Sequence, residues 1–102
     1  MKKIINGKMY NTETAKELGS WDNGYPVNDF CYFCETLYRK RSCEYFLEGH
    51  GAANSKYGVL CAGAMRCYGE KIMPLTEAEA REWAEEHLDA DEYEAIFGEC
   101  EE

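Results

Sequence analysis

A chain of 102 residues with 45% hydrophobic and 14% aromatic side chains has one domain's worth of sequence and is too apolar for a disordered one. It contains no run of about 18 or more apolar residues, which excludes a transmembrane helix, and the positive start MKKIINGKMYN has no apolar segment behind it, so a cytoplasmic protein is expected. The net charge of −9 argues against direct binding to nucleic acid, and it is unevenly placed: residues 76–102 hold twelve acidic groups against Arg81 alone, while residues 1–75 hold eight acidic and ten basic groups.

From the N-terminus, KKIING followed by KMYN predicts a β-hairpin turning at Asn6-Gly7. NTETAKELGSW predicts a short helix with Asn11 or Thr12 as N-cap, Ala15 and Leu18 on one face, and Gly19 at its stop. WDNGYPVND is a loop, broken by Gly24 and Pro26. The stretch DFCYFCETLYRKRSCEYFLEGHG predicts two antiparallel strands, about 30–39 and 44–49, with a tip near Arg41-Ser42-Cys43. The glycine-rich segment 49–69 reads as loop with one helical turn near 55–59. GEKIMPL reads as a last strand ended by Pro74.

The C-terminal region gives the clearest signal. Thr76 and Glu79 form a T-x-x-E capping box, and Leu75 and Ala80 stand at the spacing of a hydrophobic staple. Ala80, Trp83, Ala84, His87 and Leu88 make one apolar stripe, with Glu79, Glu82, Glu85, Glu86 and Asp89 on the other side. A second short helix follows, capped by Asp89 or Asp91, with Tyr93, Ile96 and Phe97 inward and Gly98 at its end. The chain is thus expected to be a single α+β domain over residues 1–102. Its antiparallel sheet of about four strands packs on one face against the C-terminal helices, with Trp83, Ile96 and Phe97 as core anchors.

Several patterns bear on chemistry. The six cysteines, in a cytoplasmic chain, are expected to be reduced and mostly buried. Cys31, Cys34, Cys61 and Cys67 are the candidate thiolates for a zinc site, with His50 as a substitute ligand. The strand position of the first pair and the wide spacing of the second both argue against it. A Cys/His nucleophile using His50 or His87 is the other chemical alternative, although no catalytic signature surrounds any cysteine. Catalytic carboxylates need surroundings that shift their pKa values, which an exposed helical row does not supply. The three cations Arg39-Lys40-Arg41 at the hairpin tip could touch phosphate, but the net charge of −9 works against nucleic-acid affinity, and they read first as a charged, aggregation-resistant turn. No phosphate loop or dinucleotide fingerprint is present, and no cofactor is expected.

The acidic helical face carries the sharper expectation. Carboxylates three or four residues apart on a helix lie about 5–6 Å apart, comparable to the spacing of phosphates along a strand. Glu79, Glu82, Glu85, Glu86, Asp89, Asp91 and Glu94 are therefore the expected partner-binding residues, set to meet the Lys/Arg groove of a nucleic-acid-binding protein.

Three stretches carry a resemblance: KKIINGKMYNTETAKELGSWDNG, ETLYRKRSCEYFLEGHGAANSKY and EKIMPLTEAEAREWAEEHLDADEYEAIFG. Together they resemble the small acidic accessory proteins of phages and conjugative elements of Firmicutes, a group similar to some anti-CRISPR proteins. The resemblance implies a non-enzymatic inhibitor that binds a host defence protein, such as a Cas nuclease, and blocks its nucleic-acid site. The chain departs from that group in having Cys43 where a tip glycine is usual, and cysteines rather than polar residues at Cys31 and Cys34.

Overall fold

The computed structural model describes residues 1–98. At the N-terminus, β1 (Lys2–Ile5) and β2 (Lys8–Asn11) form the expected hairpin. Asn6 and Gly7 take positive φ angles of 52° and 76°, the two-residue turn whose twist matches that of the strands.

The helix expected at 11–19 is a strand, β3 (Lys16–Asp22). Asn11 does begin a turn: its Oδ1 accepts the Glu13 amide at 2.9 Å, and its carbonyl accepts the Ala15 amide at 3.0 Å. The cap signal is real but supports one turn only. Beyond it, antiparallel pairing with β4 (Phe33–Arg39) satisfies the backbone, and Leu18 and Trp21 reach the core. A helix this short has little stability of its own, so the sheet wins.

β4 and β5 (Tyr45–Gly51) pair in continuous register from Phe33↔Gly51 to Arg39↔Tyr45. Their tip closes where the Lys40 amide donates to the Glu44 carbonyl at 2.8 Å, with Cys43 left-handed at φ 69°. The segment after β5 has no helical turn. Ser55 Oγ donates to the Ala52 carbonyl at 2.7 Å and accepts the Tyr57 amide at 3.3 Å, so a side chain takes up groups a helix would have paired. A second hairpin follows, β6 (Val59–Ala62) and β7 (Met65–Cys67).

β8 (Gly69–Leu75) completes the main sheet in the order β3-β4-β5-β8, antiparallel throughout. Pro74 lies within β8, opposite Phe46, rather than ending it. An edge strand tolerates a residue with no amide hydrogen. The chain closes with α1 (Glu77–His87) and α2 (Ala90–Phe97), each opened by a complete capping box, Thr76 with Glu79 and Asp89 with Glu92. Gly98 ends α2 at φ 92°.

This is the expected α+β architecture, with the helices on one face of a four-stranded sheet. Leu37, Tyr45 and Leu47 meet Ala80, Trp83 and Ala84 between the layers. Trp83 and Phe97 serve as anchors, as expected. Tyr93, Ile96 and Phe97 are all half-buried, but Tyr93 and Phe97 pack against the core cluster and Ile96 does not. The reverse face is not bare: Tyr10 on the N-terminal hairpin packs on Phe46 and Ile72.

Candidate functional site

α1 turns Ala80, Trp83 and Ala84 inward, which drives its carboxylates to the outside. All seven expected partner-binding residues, Glu79, Glu82, Glu85, Glu86, Asp89, Asp91 and Glu94, are exposed. The structure divides six of them between two shallow grooves, and Asp91 borders neither. Glu79, Glu82 and Glu86 border one floored by Leu47, Leu75 and Trp83. Glu85, Asp89 and Glu94 border another at the corner between the helices, with Leu88 and Tyr93. Little of this charge is neutralised. Arg81 is engaged by Glu77 at 3.6 Å, by the Tyr93 hydroxyl at 3.3 Å and by the face of Phe97. Among the described residues Glu82, Glu85, Asp91 and Glu94 have no ion-pair partner. His87 takes the core-edge place expected of it, its ring centre 4.1 Å from that of Trp21 with the two planes tilted by 34°.

Beneath the helices lies a polar cluster that sequence reasoning missed. Alternation along β4 points Phe33, Glu35 and Leu37 toward the helices, so Glu35 is carried into the core at 2% exposure. Its Oε1 accepts the Trp83 indole N–H at 3.0 Å, and its Oε2 accepts the Tyr57 hydroxyl. The Lys56 ammonium closes the site 2.6 Å from Oε2. Burial alone would push the Glu35 carboxyl up, but Lys56, Tyr57 and Trp83 together hold it below its usual value. Burial and the adjacent carboxylate push the Tyr57 hydroxyl far up, so it stays a donor. The available signal was an acidic residue at an inward position of an alternating strand, F-C-E-T-L.

On the reverse face, register lays Asp22, Cys34, His50 and Glu70 in one row across the four strands. The expected pairing of His50 with a cysteine is thus half met. His50 Nδ1 bonds to Glu48 at 2.9 Å, and no hydrogen bond joins it to Cys34. Burial pushes the Cys34 thiol up, and the Glu48 and Asp22 carboxylates add to this, so the site favours a thiol over a nucleophilic thiolate.

The cysteines depart from the reduced, buried state expected of them. Cys61 and Cys67 form a disulfide across the β6–β7 hairpin, Cys43 is exposed, and Cys31 and Cys34 are partly buried free thiols. Two of the four candidate zinc ligands are therefore bonded to each other. Among the described residues no group of three or more His, Cys, Asp or Glu side chains is arranged to hold a metal ion. Cys100 lies outside the described residues. A disulfide belongs to an oxidising compartment, so this bond and the cytoplasmic expectation point in different directions. Among the described residues no helix is long and apolar enough to cross a membrane.

No family model, curated protein or solved structure matches the chain. The fold and its surfaces therefore define the class unaided: an α+β domain with an unneutralised acidic helical layer on one side of its sheet.

Proposed function

We propose that the protein is a non-enzymatic interaction protein whose acidic helical layer engages the basic, nucleic-acid-binding groove of a partner protein. The resemblance noted above directs this to an inhibitor of a host defence protein. One observation carries the reading: Glu82, Glu85, Asp91 and Glu94 stand exposed on capped helices with no ion-pair partner, while the nearest arginine is turned aside by Glu77 and Tyr93. Unneutralised charge held in fixed positions raises the energy of the free protein slightly. It gains Coulomb energy when a cationic groove approaches, and it speeds that approach. The two grooves add apolar floors, Leu47 with Leu75 and Leu88 with Tyr93, that a partner's side chains can cover.

The test uses a charge-reversed protein, Glu82→Lys, Glu86→Lys and Asp89→Lys together. It is compared with wild type in pull-downs from host lysate at low and high salt, with circular dichroism as the check on folding. The proposal expects a salt-sensitive partner captured by wild type and lost by the folded variant. A partner retained equally by both removes the acidic layer from the mechanism.

A further inference from the structure

Five of the eleven lysines and arginines of this acidic protein lie at one end of the sheet. The β3–β4 end and the β4–β5 tip border an open groove of about 350 Å³, lined by Thr14, Lys16, Arg39, Lys40, Arg41 and Cys43, with no carboxylate on its wall. A wider groove of about 520 Å³ continues from it, sharing Thr14, Lys40 and Arg41 and adding Lys8 and Glu44. Five cations from three separate stretches of chain thus converge on one end of the sheet. The tripeptide Arg39-Lys40-Arg41 alone did not indicate this.

The register makes the arrangement costly as it stands. Lys16 and Arg39 are direct cross-strand partners, and like charges placed opposite one another destabilise a sheet. Among the described residues Lys16, Arg39 and Arg41 have no ion-pair partner; the nearby carboxylate, Glu44, is taken by Lys8 at 3.1 Å and Lys40 at 3.4 Å. Lys40 is held in position, its side chain only 16% exposed and its ammonium 4.2 Å from the centre of the Tyr10 ring. A fixed lysine, an arginine fork and two further cations around an acid-free groove suit an anion with several oxygens and more than one charge.

We propose that this groove is a binding site for a phosphate group, with Lys16, Arg39, Lys40 and Arg41 as its charged ligands. The phosphate would relieve the Lys16–Arg39 repulsion, so binding stabilises the β3–β4 end. The site is independent of the acidic layer on the helices and does not rest on the function proposed for it.

Calorimetric titration of the full chain with inorganic pyrophosphate at low salt tests the proposal. Wild type is expected to bind one pyrophosphate, and Lys16→Ala/Arg39→Ala to bind it about a hundredfold more weakly, the loss expected for two charge-assisted contacts. Lys16→Gln, at an exposed position, is expected to weaken binding in the same direction without trimming any packing. Lys71→Ala, an equal change of charge elsewhere on the sheet, is expected to leave binding unchanged. No binding by wild type, equal binding by the double variant, or an equal response to sodium chloride at matched ionic strength overturns the site. A parallel titration with a short oligothymidylate separates the sources of phosphate. Tighter binding than pyrophosphate assigns the site to a strand, weaker or equal binding assigns it to a free phosphorylated molecule, and either result upholds the phosphate chemistry.

Discussion

The ammonium of Lys56, on a side chain 57% exposed, lies 2.6 Å from the Oε2 of Glu35, a carboxylate 2% exposed. The cation reaches in from the surface across the rings of Phe33 and Tyr57, whose centres lie 5.1 and 5.3 Å from it. Through Trp83 and Tyr57 the same carboxylate ties α1 and the 52–58 loop to the middle of the sheet. The two partners are unequal: Lys56 can turn to water if Glu35 is lost, but Glu35 cannot leave.

Removing Lys56 is therefore expected to cost more than neutralising Glu35. Lys56→Met leaves a buried carboxylate with two neutral donors, at a cost of about 3 kcal/mol. Glu35→Gln keeps an acceptor for Trp83 and lets the Tyr57 oxygen accept from the new amide, for about 1 kcal/mol. The pH dependence separates them further. In wild type the folded carboxyl titrates below its ordinary value of 4.5, so its stabilisation is complete above that pH and is lost as acid is added. With Lys56 gone, its hydrogen bond and charge no longer hold the carboxyl down, so the folded carboxyl titrates higher than in wild type and less stability is lost as acid is added. Urea melts of both variants across the acid range check the ordering and the shallower slope.

Gly49 makes room for this network. A Cβ built there would sit 2.1 Å from the Tyr57 ring, because Tyr57 lies flat across β5 at that point. Gly49→Ala is expected to displace Tyr57 from Glu35 and destabilise the fold by about 3 kcal/mol, the upper end of ordinary overpacking. Thermal unfolding gives the magnitude, and tyrosine fluorescence reports whether the ring has moved.

Cys43 holds a left-handed backbone, φ 69°, at the β4–β5 tip. Side chains are strained there by about 1–2 kcal/mol, and glycine is not. Cys43→Gly is expected to raise the melting temperature by about 4–8 °C for a net gain near 1 kcal/mol, the higher chain entropy of glycine offsetting part of the relief. A lower melting temperature would mean that the Cys43 side chain contributes contacts at the tip.

The thiols should differ in reactivity. Protein purified without reductant is expected to show two more titratable thiols after reduction, released from Cys61 and Cys67. Iodoacetamide at neutral pH should label exposed Cys43 well ahead of Cys34, whose thiol is pushed up by burial. An unchanged thiol count would show the hairpin pair to be reduced in solution. Equal labelling rates would remove the burial argument for Cys34.

Which features were legible follows from the range of the forces behind them. The Asn6-Gly7 turn, the Thr76–Glu79 capping box and the apolar stripe of α1 depend on residues a few positions apart, and each appears where the sequence places it; of the two caps offered for α2, Asp89 is the one used, in a box with Glu92 that was not foreseen. The Asn11 cap was equally local, yet it supports one turn only, because β4 offered the following residues a row of cross-strand hydrogen bonds. No local rule could show that Glu35 would meet Lys56, twenty-one residues on, and Trp83 from another layer.

Sequence by itself determined the α+β class, the start of α1 at Thr76, the stop of α2 at Gly98 and the exposure of the C-terminal carboxylates, since periodicity alone decides which side of an amphipathic helix meets water. Only the tertiary structure decided that β3 is a strand, that Cys61 bonds Cys67, and that Lys16 faces Arg39 across a sheet edge. Those outcomes depend on strand pairing between distant segments. A shift of register by one residue would turn Glu35 out to solvent and separate the two cations, although the sequence would be the same.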